Sequence, residues 1–180
     1  MTEYYFDMET TGIDFDKDEI ITIQWQMLNG HTGDSIGELN VLKGWEYPET
    51  EILRTFAPNL MCKPFDFIIV GKNLLFDFCF LNKKMAHYGF GEFDIRCMYQ
   101  RVSLDIKPIL VLMNNGNFVG YDMVVPKRNP LRNDEIPTLF RQRRYPEILQ
   151  YIKDESKDLI EVYKMLKREM PSFKKRLFKE

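Results

Sequence analysis

The sequence is poor in cysteine and has no long apolar run, and each shortage excludes a class of protein. Its three cysteines, Cys62, Cys79 and Cys97, are an odd number without the spacing of a metal site, so we interpret them as reduced packing residues of a cytoplasmic protein. The N-terminus lacks the basic and apolar segments of a secretory signal. No apolar stretch approaches the roughly 18 residues of a membrane-spanning helix, so we expect no membrane contact.

An excess of positive charge is also missing. Lys and Arg together number 25, against 27 Asp and Glu, which gives a formal net charge of −2. Such a protein lacks an overall positively charged surface for binding duplex nucleic acid, although local basic patches remain compatible with this charge.

The sequence does contain enough apolar material for one folded domain. Apolar residues make up 44% of the 180 positions and aromatic residues 14%, as is typical of a globular protein. Hydrophobic periodicity predicts a mixed α/β sheet flanked by helices, with three antiparallel strands followed by alternating helices and strands. Predicted strands cover 3–8, 19–28, 38–44 and 65–71; predicted helices cover 48–57, 73–89, 105–116 and 146–170, with Asp105 as an N-cap and an irregular connection over 117–137. We predict a single domain over 1–170 and a basic C-terminal tail over 171–180.

The first predicted strand carries two carboxylates where a buried strand should be apolar. In YYFDMETTG, residues 4–12, Asp7 and Glu9 are two positions apart and therefore point to the same face. Bare carboxylates repel each other and are costly to bury, whereas hard cations such as Mg²⁺ and Mn²⁺ prefer their oxygens as ligands. The alternative is a strand end at which both acids point into water.

A second acid lies in the helix that follows the fourth strand. In GKNLLFDFCFL, residues 71–81, Asn73 and Asp77 are four residues apart and share a helix face. Asp77 has apolar neighbours and so needs a partner, unless it belongs to the polar stripe of an amphipathic helix.

The longest predicted helix contains a third acidic position. On a helical wheel, Glu155 falls within the apolar face, Tyr151 lies one turn before it, and Asp158 lies at the edge of that face. An acid within a core-facing stripe breaks the hydrophobic pattern, as functional residues often do, although a Glu that extends to solvent is the alternative.

These segments resemble the motifs of the DEDD-type 3′-to-5′ exonucleases, which have the ribonuclease H-like fold. FDMETTG, residues 6–12, is similar to their first motif, F-D-x-E-T-T-G, and NLLFDFCFL, residues 73–81, is similar to their second, N-x-x-F-D-x-x-F-L. The resemblance covers roughly residues 3–168 and implies the ribonuclease H-like fold for this chain.

The third motif divides that family into two branches, one with a His five residues before the last Asp and one with Tyr-x-x-x-Asp. The two histidines, His31 and His87, lie in a turn region and near a helix end, so the resemblance is to the Tyr branch. Tyr151 and Glu155 have its spacing, with Glu in place of Asp. In an alternative register Asp158 is the fourth acid, and no Tyr or His then occupies the expected position before it.

The resemblance implies hydrolysis of phosphodiester bonds with two Mg²⁺ or Mn²⁺ ions as cofactors. The implied catalytic residues are Asp7, Glu9, Asp77, Tyr151 and Glu155, and the implied metal ligands are the four acids among them, with Asp158 as the alternative. Tyr151 would orient the attacking water, because a phenol with a pKa of about 10 is a poor base at neutral pH.

The implied substrate is single-stranded nucleic acid, bound at its 3′ end. Residues predicted to contact it follow the first strand, begin the second motif or belong to the basic stretch 127–144. They are Thr10, Thr11, Gly12, Asn73, Phe76, Arg141, Arg143 and Arg144. No feature of the sequence reads a 2′-hydroxyl, so DNA and RNA are equally compatible with it.

Two other functions are compatible with the same acids. One is a catalytically weak nucleic-acid-binding module on this fold, and the other is a ribonuclease H-type endonuclease that cuts RNA within a hybrid. The spacing of Tyr151 and Glu155 favours the exonuclease over the endonuclease.

Overall fold

A computed structural model describes residues 2–61, 66–91, 102–117 and 125–178, of which 59–61 and 173–178 are described by their backbone alone. The strands are β1 (Thr2–Thr10), β2 (Ile20–Leu28), β3 (Ser35–Lys43), β4 (Phe67–Gly71) and β5 (Ser103–Asp105). The helices are α1 (Glu49–Met61), α2 (Leu74–His87), α3 (Ile106–Met113), α4 (Ile136–Arg141) and α5 (Tyr145–Phe178), with a 3₁₀ turn at Asn133–Glu135.

The five strands form one mixed sheet in the order β3-β2-β1-β4-β5. β1 lies in the centre, antiparallel to β2 and parallel to β4, while β3 is antiparallel to β2 and β5 is parallel to β4. The predicted architecture, three antiparallel strands followed by alternating helices and strands, is confirmed. Because β1 and β4 are parallel, their carboxyl ends meet at the same edge of the sheet.

Side chains alternate along β1 and serve two cores, one on each face of the sheet. Phe6 and Met8 belong to an apolar cluster with residues of α1 and α2, and the ring of Phe6 stacks on that of Phe56 at 5.4 Å. Tyr5 belongs to a second cluster with α3 and α5, including Leu159. The odd-numbered residues of β1 therefore face α5, and Asp7 and Glu9 are among them.

Several elements differ from the prediction in their bounds or were not predicted, among them the three that follow. The connection predicted over 117–137 contains the 3₁₀ turn and the start of α4, because Pro137 lies in the first turn of that helix, where a missing N–H has no cost. β5 has three residues, too few to show an alternating pattern. The predicted helix end at Met170 is wrong, since α5 continues through Pro171 to Phe178.

The predicted packing role of the cysteines is wrong for Cys79, which is free and exposed. It lies on α2 between Phe78 and Phe80, both of which face the core, so the helical turn directs the residue between them outward. Cys62 and Cys97 lie outside the described residues. Within the described ranges, no helix is long and apolar enough to cross a membrane.

Candidate active site

A cleft of about 680 Å³ opens at the carboxyl ends of β1 and β4. Four acids predicted from the sequence line it, and we name it the carboxylate cleft after them: Asp7, Glu9, Asp77 and Glu155. They come from three separate elements, β1, α2 and α5. The structure thus brings together side chains that lie up to about 150 positions apart in the sequence.

The odd-numbered face of β1 supplies the first two acids. Asp7 is partly buried, and its Oδ2 accepts hydrogen bonds from Gln24 Nε2 at 3.1 Å and from the Tyr5 hydroxyl at 3.3 Å. Gln24 lies directly opposite Asp7 in the pairing of β1 with β2. Glu9, two residues further along the strand, is 6% exposed. Pairing within the sheet therefore fixes where both carboxylates point.

Asp105 positions the third acid by anchoring the start of α2. Its carboxylate accepts hydrogen bonds from the backbone N–H of Asn73 at 2.8 Å and of Leu74 at 3.0 Å. It also accepts one from the N–H of Lys107 at 2.9 Å, which confirms the predicted N-cap of α3. Since Asn73 holds a left-handed conformation with φ of 64°, the chain turns sharply there, and Asp77 enters the cleft one turn later.

α5 supplies the fourth acid and the tyrosine. Glu155 is 8% exposed and Tyr151 is fully buried, so the predicted inward-facing stripe is confirmed for both. The Tyr151 hydroxyl donates a hydrogen bond to Asn133 Oδ1 at 2.7 Å.

Asp158 lies outside the described lining of the carboxylate cleft. It is fully buried rather than at the edge of the apolar face. Its carboxylate pairs with the guanidinium of Arg128 and accepts a hydrogen bond from the Arg128 N–H at 3.0 Å. The charge of Asp158 thus has a partner away from the other acids, and the structure brings Glu155 to the cleft in its place.

Burial and the repulsion between neighbouring carboxylates raise the pKa values of three acids in the cleft, Asp7, Glu9 and Asp77. Burial, followed by the charge of Glu155, raises the pKa of Asp7 to about 7, although the Met8 backbone and Lys72 partly oppose the shift. Burial and then Asp7 raise the pKa of Glu9 well above its ordinary value. The same two causes act in that order on the pKa of Asp77. Proton uptake or a cation would relieve this repulsion.

The donor set suits a hard divalent cation, because all four acids offer carboxylate oxygens. Among the described residues, however, no three His, Cys, Asp or Glu side chains already stand close enough together to hold a metal ion. The residues therefore fit a cation in their chemistry, while their described positions do not form a closed ligand set.

Four of the predicted substrate contacts line the cleft: Thr10, Gly12, Asn73 and Phe76. Thr11 lies outside the described lining and shapes the loop after β1 instead. Its hydroxyl donates to Asp18 Oδ1 at 3.0 Å and accepts from the N–H of Glu19 at 2.9 Å. Gly12 packs against the same carboxylate, since a Cβ there would lie 2.3 Å from Asp18 Oδ2.

The three predicted arginine contacts lie outside the described lining of the cleft. Arg141, Arg143 and Arg144 are exposed around the turn that joins α4 to α5. Arg144 forms an ion pair with Glu147 at 2.5 Å, so part of its charge is neutralised within the protein. Arg143 has a left-handed backbone with φ of 58°, which a residue with a Cβ rarely adopts.

Sequence reasoning missed several residues that line the cleft. Lys72 and Lys107 bring positive charge to it, and Asn133 accepts the hydrogen bond of the Tyr151 hydroxyl. Lys72 directly precedes the second motif in the sequence, and this adjacency was the sequence feature that could have identified it as a residue of the site. Asn133 lies 18 positions before Tyr151, in a stretch rich in proline. No hydrophobic periodicity in that stretch indicated that Asn133 contacts Tyr151. Ile13, also in the lining, is 83% exposed.

Comparison with known proteins yields matches among solved structures alone: no family model and no curated protein sequence matches the chain. The zinc-bound complex of E. coli exonuclease I with single-stranded DNA superposes with a TM-score of 0.61 at 13% identity, over 99% of this chain and 43% of that chain. Its metal-free complex gives 0.59 at 13%, over 99% and 42%. A product-bound exonuclease I gives 0.58 at 14%, over 99% and 46%. The chain thus spans less than half the length of these neighbours and has their ribonuclease H-like fold.

Proposed function

We propose that the chain is a metal-dependent 3′-to-5′ exonuclease acting on single-stranded nucleic acid. The observation that carries the proposal is the carboxylate cleft, in which four acids from three elements meet and the pKa values of Asp7, Glu9 and Asp77 are raised. Burying acids whose charge Lys72 compensates only in part weakens a fold, so their presence needs a functional reason. The structural likeness to exonuclease I bound to single-stranded DNA supports the choice of substrate.

Asp7, Glu9, Asp77 and Glu155 would hold two Mg²⁺ or Mn²⁺ ions. When bound, such ions polarise the phosphate and lower the pKa of the attacking water. The four carboxylates would neutralise the charge of the ions and hold them in position, because hard divalent cations prefer oxygen ligands. Lys72 and Lys107, in the same lining, are placed to contact substrate phosphates.

Tyr151 orients the water that attacks the phosphorus. Burial and the charges of Glu9 and Glu155 raise its pKa well above the ordinary value, so its phenol stays protonated and does not act as the base. The water oxygen forms a bond to phosphorus while the bond from phosphorus to the 3′ oxygen of the preceding nucleotide breaks. The water gives up a proton and the leaving oxygen gains one, which releases a nucleoside 5′-monophosphate.

The lining of the cleft fits an unpaired nucleotide. Phe76 is half-buried and Ile13 is almost fully exposed, so both offer apolar surface to a base. Arg141 and Arg143 are exposed and would contact the phosphates of the preceding nucleotides. An aromatic or apolar contact to the base combined with backbone charge is typical of single-strand binding without sequence preference.

Degradation of a strand labelled at its 5′ end tests the proposal. The labelled DNA or RNA should shorten one nucleotide at a time from its 3′ end in Mg²⁺ or Mn²⁺ and stay intact in EDTA. Asp77→Asn, a nearly isosteric change in the cleft, should bind the strand and leave it intact. Internal fragments as first products would indicate an endonuclease instead.

The second candidate function is a nucleic-acid-binding module with little or no cleavage. The observation in its favour is that the described acids do not yet stand within the distances of a closed metal site. Retained strand binding with no cleavage in either metal would establish this function.

A further inference from the structure

The hydroxyl of Tyr151 has one proton to donate and more than one acceptor near it. It donates that proton to Asn133 Oδ1 at 2.7 Å. Glu155, one helical turn further along α5, is near enough for its carboxylate to help raise the pKa of the hydroxyl. Asn133 and Glu155 both line the carboxylate cleft. The choice of acceptor therefore decides whether the proton or a lone pair of the phenol oxygen faces a bound substrate.

The two acceptors have opposite consequences for the cleft. A phenol that donates to Glu155 occupies an oxygen of an acid needed as a ligand, and it holds that carboxylate in place. A phenol that donates to Asn133 leaves the Glu155 carboxylate unencumbered. Its own lone pairs then serve as acceptors for a proton of the water, because a hydroxyl can accept while it donates.

We propose that Asn133 is a positioning residue for the reaction: it takes the proton of the Tyr151 hydroxyl, keeps that proton away from Glu155, and turns a lone pair of the phenol oxygen toward the attacking water. This role rests on the proposed nuclease function. A neutral amide suits the task because it accepts a hydrogen bond without adding a further negative charge to the acids already present.

The backbone around Asn133 holds its side chain in place. Asn133 begins the 3₁₀ turn, in which the Glu135 side chain accepts a hydrogen bond from the Arg132 N–H at 2.7 Å. The Glu135 N–H in turn donates to the Arg132 carbonyl at 3.0 Å. These reciprocal bonds close the turn on both sides of Asn133, and α4 follows directly. The amide therefore projects from a fixed turn and not from a loose loop.

A double-mutant cycle in the full chain tests the role in catalysis. Asn133→Ala should lower kcat about tenfold and leave KM for a single-stranded oligonucleotide nearly unchanged, since a water-positioning contact acts on the reacting state. Tyr151→Phe should lower kcat at least as much. In the Tyr151→Phe background, Asn133→Ala should cause no further loss, because the group through which Asn133 acts is already missing.

A spectroscopic readout tests the contact itself in the metal-free protein. With tyrosine labelled with ¹³C at Cζ, the Tyr151 signal is the one that disappears in Tyr151→Phe. It should move in Asn133→Ala and stay in place in Thr138→Ala, a change at an exposed residue of α4. Asn133 is exposed, so these variants should fold, and circular dichroism checks this.

Each outcome decides between the two proposals. A Tyr151 signal that does not move in Asn133→Ala, or losses of kcat that multiply in the double variant, would overturn the role of Asn133 and leave the nuclease proposal standing. Wild-type protein that cleaves no strand in either metal would overturn the proposed function and the role of Asn133 with it. A moved signal together with a cycle that shows no further loss supports both.

Discussion

Replacing Asp7 by Asn removes one charge from the carboxylate cleft while nearly keeping the shape of the side chain. We expect the metal-free variant to unfold at a higher temperature than the wild type at about pH 8 and to cleave no substrate. The reason is the sign of the pKa shift. A carboxyl whose pKa is higher in the folded than in the unfolded state leaves the fold unaffected below its unfolded pKa, and it weakens the fold progressively as the pH rises toward its folded pKa.

The size of the effect follows from the pKa of Asp7, about 7 against an ordinary value of 3.8. Each pKa unit corresponds to about 1.4 kcal/mol, so ionised Asp7 weakens the fold by at most about 4 kcal/mol above roughly pH 8. Asn keeps an acceptor for Gln24 Nε2 but forfeits the charge-assisted part of that bond, roughly 1 kcal/mol. We therefore expect a gain of about 1–3 kcal/mol, or roughly 2–10 °C in melting temperature for a chain of this size.

Thermal unfolding followed by circular dichroism measures the effect. In EDTA the gain should be largest near pH 8 and vanish toward roughly pH 3, below the unfolded pKa, where the carboxyl is protonated in both states. Excess Mn²⁺ should stabilise the wild type by RT ln(1 + [L]/Kd) and the variant much less. A variant that melts below the wild type at pH 8 in EDTA, and gains as much from Mn²⁺, would show that Asp7 is structural and refute this reasoning.

Asp158→Asn is the matched control, because Asp158 is also a buried acid but has a cationic partner. Its carboxylate pairs with Arg128 and accepts the Arg128 N–H. Loss of that charge should destabilise the protein by roughly 1–3 kcal/mol in EDTA. The stabilisation by Mn²⁺ should survive, since Asp158 lies outside the described lining of the cleft.

Three further outcomes follow from the site. Glu155→Gln should reduce kcat by at least about a hundredfold, whereas Asp158→Asn should reduce it far less, so that assays of the two folded variants identify the fourth ligand. At limiting metal, kcat/KM should rise with pH through about 7, where Asp7 ionises, and saturating Mn²⁺ should move the rise to lower pH because a cation favours the ionised form. Arg143→Gly should stabilise the fold by roughly 0.5–1 kcal/mol, because glycine adopts a positive φ without strain. The same change should weaken binding of a single strand and reduce its salt dependence, measured by fluorescence anisotropy.

The elements predicted well from the sequence are those whose local pattern agrees with their tertiary surroundings. β1 is largely buried on both faces because one face meets α1 and α2 and the other meets α5. The long helix was visible because its stripe repeats over many turns. β5 and α4 were missed because three and six residues carry too little periodicity.

The acids of the site were visible because they contradict the hydrophobic pattern around them. The sequence did not show which side chain each buried polar group contacts. The helical wheel placed Asp158 at the edge of the apolar face, yet Arg128, 30 residues away, folds over it and buries its charge. Asn133 and Tyr151 are likewise joined by a tertiary contact that no local pattern encodes. Side-chain partners across loops follow from packing, and periodicity carries no information about them.

The two ends of the packing between β1 and α5 show that the repulsion in the cleft is specific to the site. At one end Glu3 is also a buried acid on the odd-numbered face of the strand. Its carboxylate accepts hydrogen bonds from the Tyr163 hydroxyl and from Lys167 Nζ, both at 2.7 Å. Two turns or more toward the other end, the same helix presents Glu155 to Asp7 instead of a lysine. Because one strand face and one helix provide both arrangements, the fold can neutralise a buried acid in this interface. The charge at Asp7, which Lys72 compensates only in part, therefore reflects a demand of the cleft, and under the proposed function a bound cation would meet that demand.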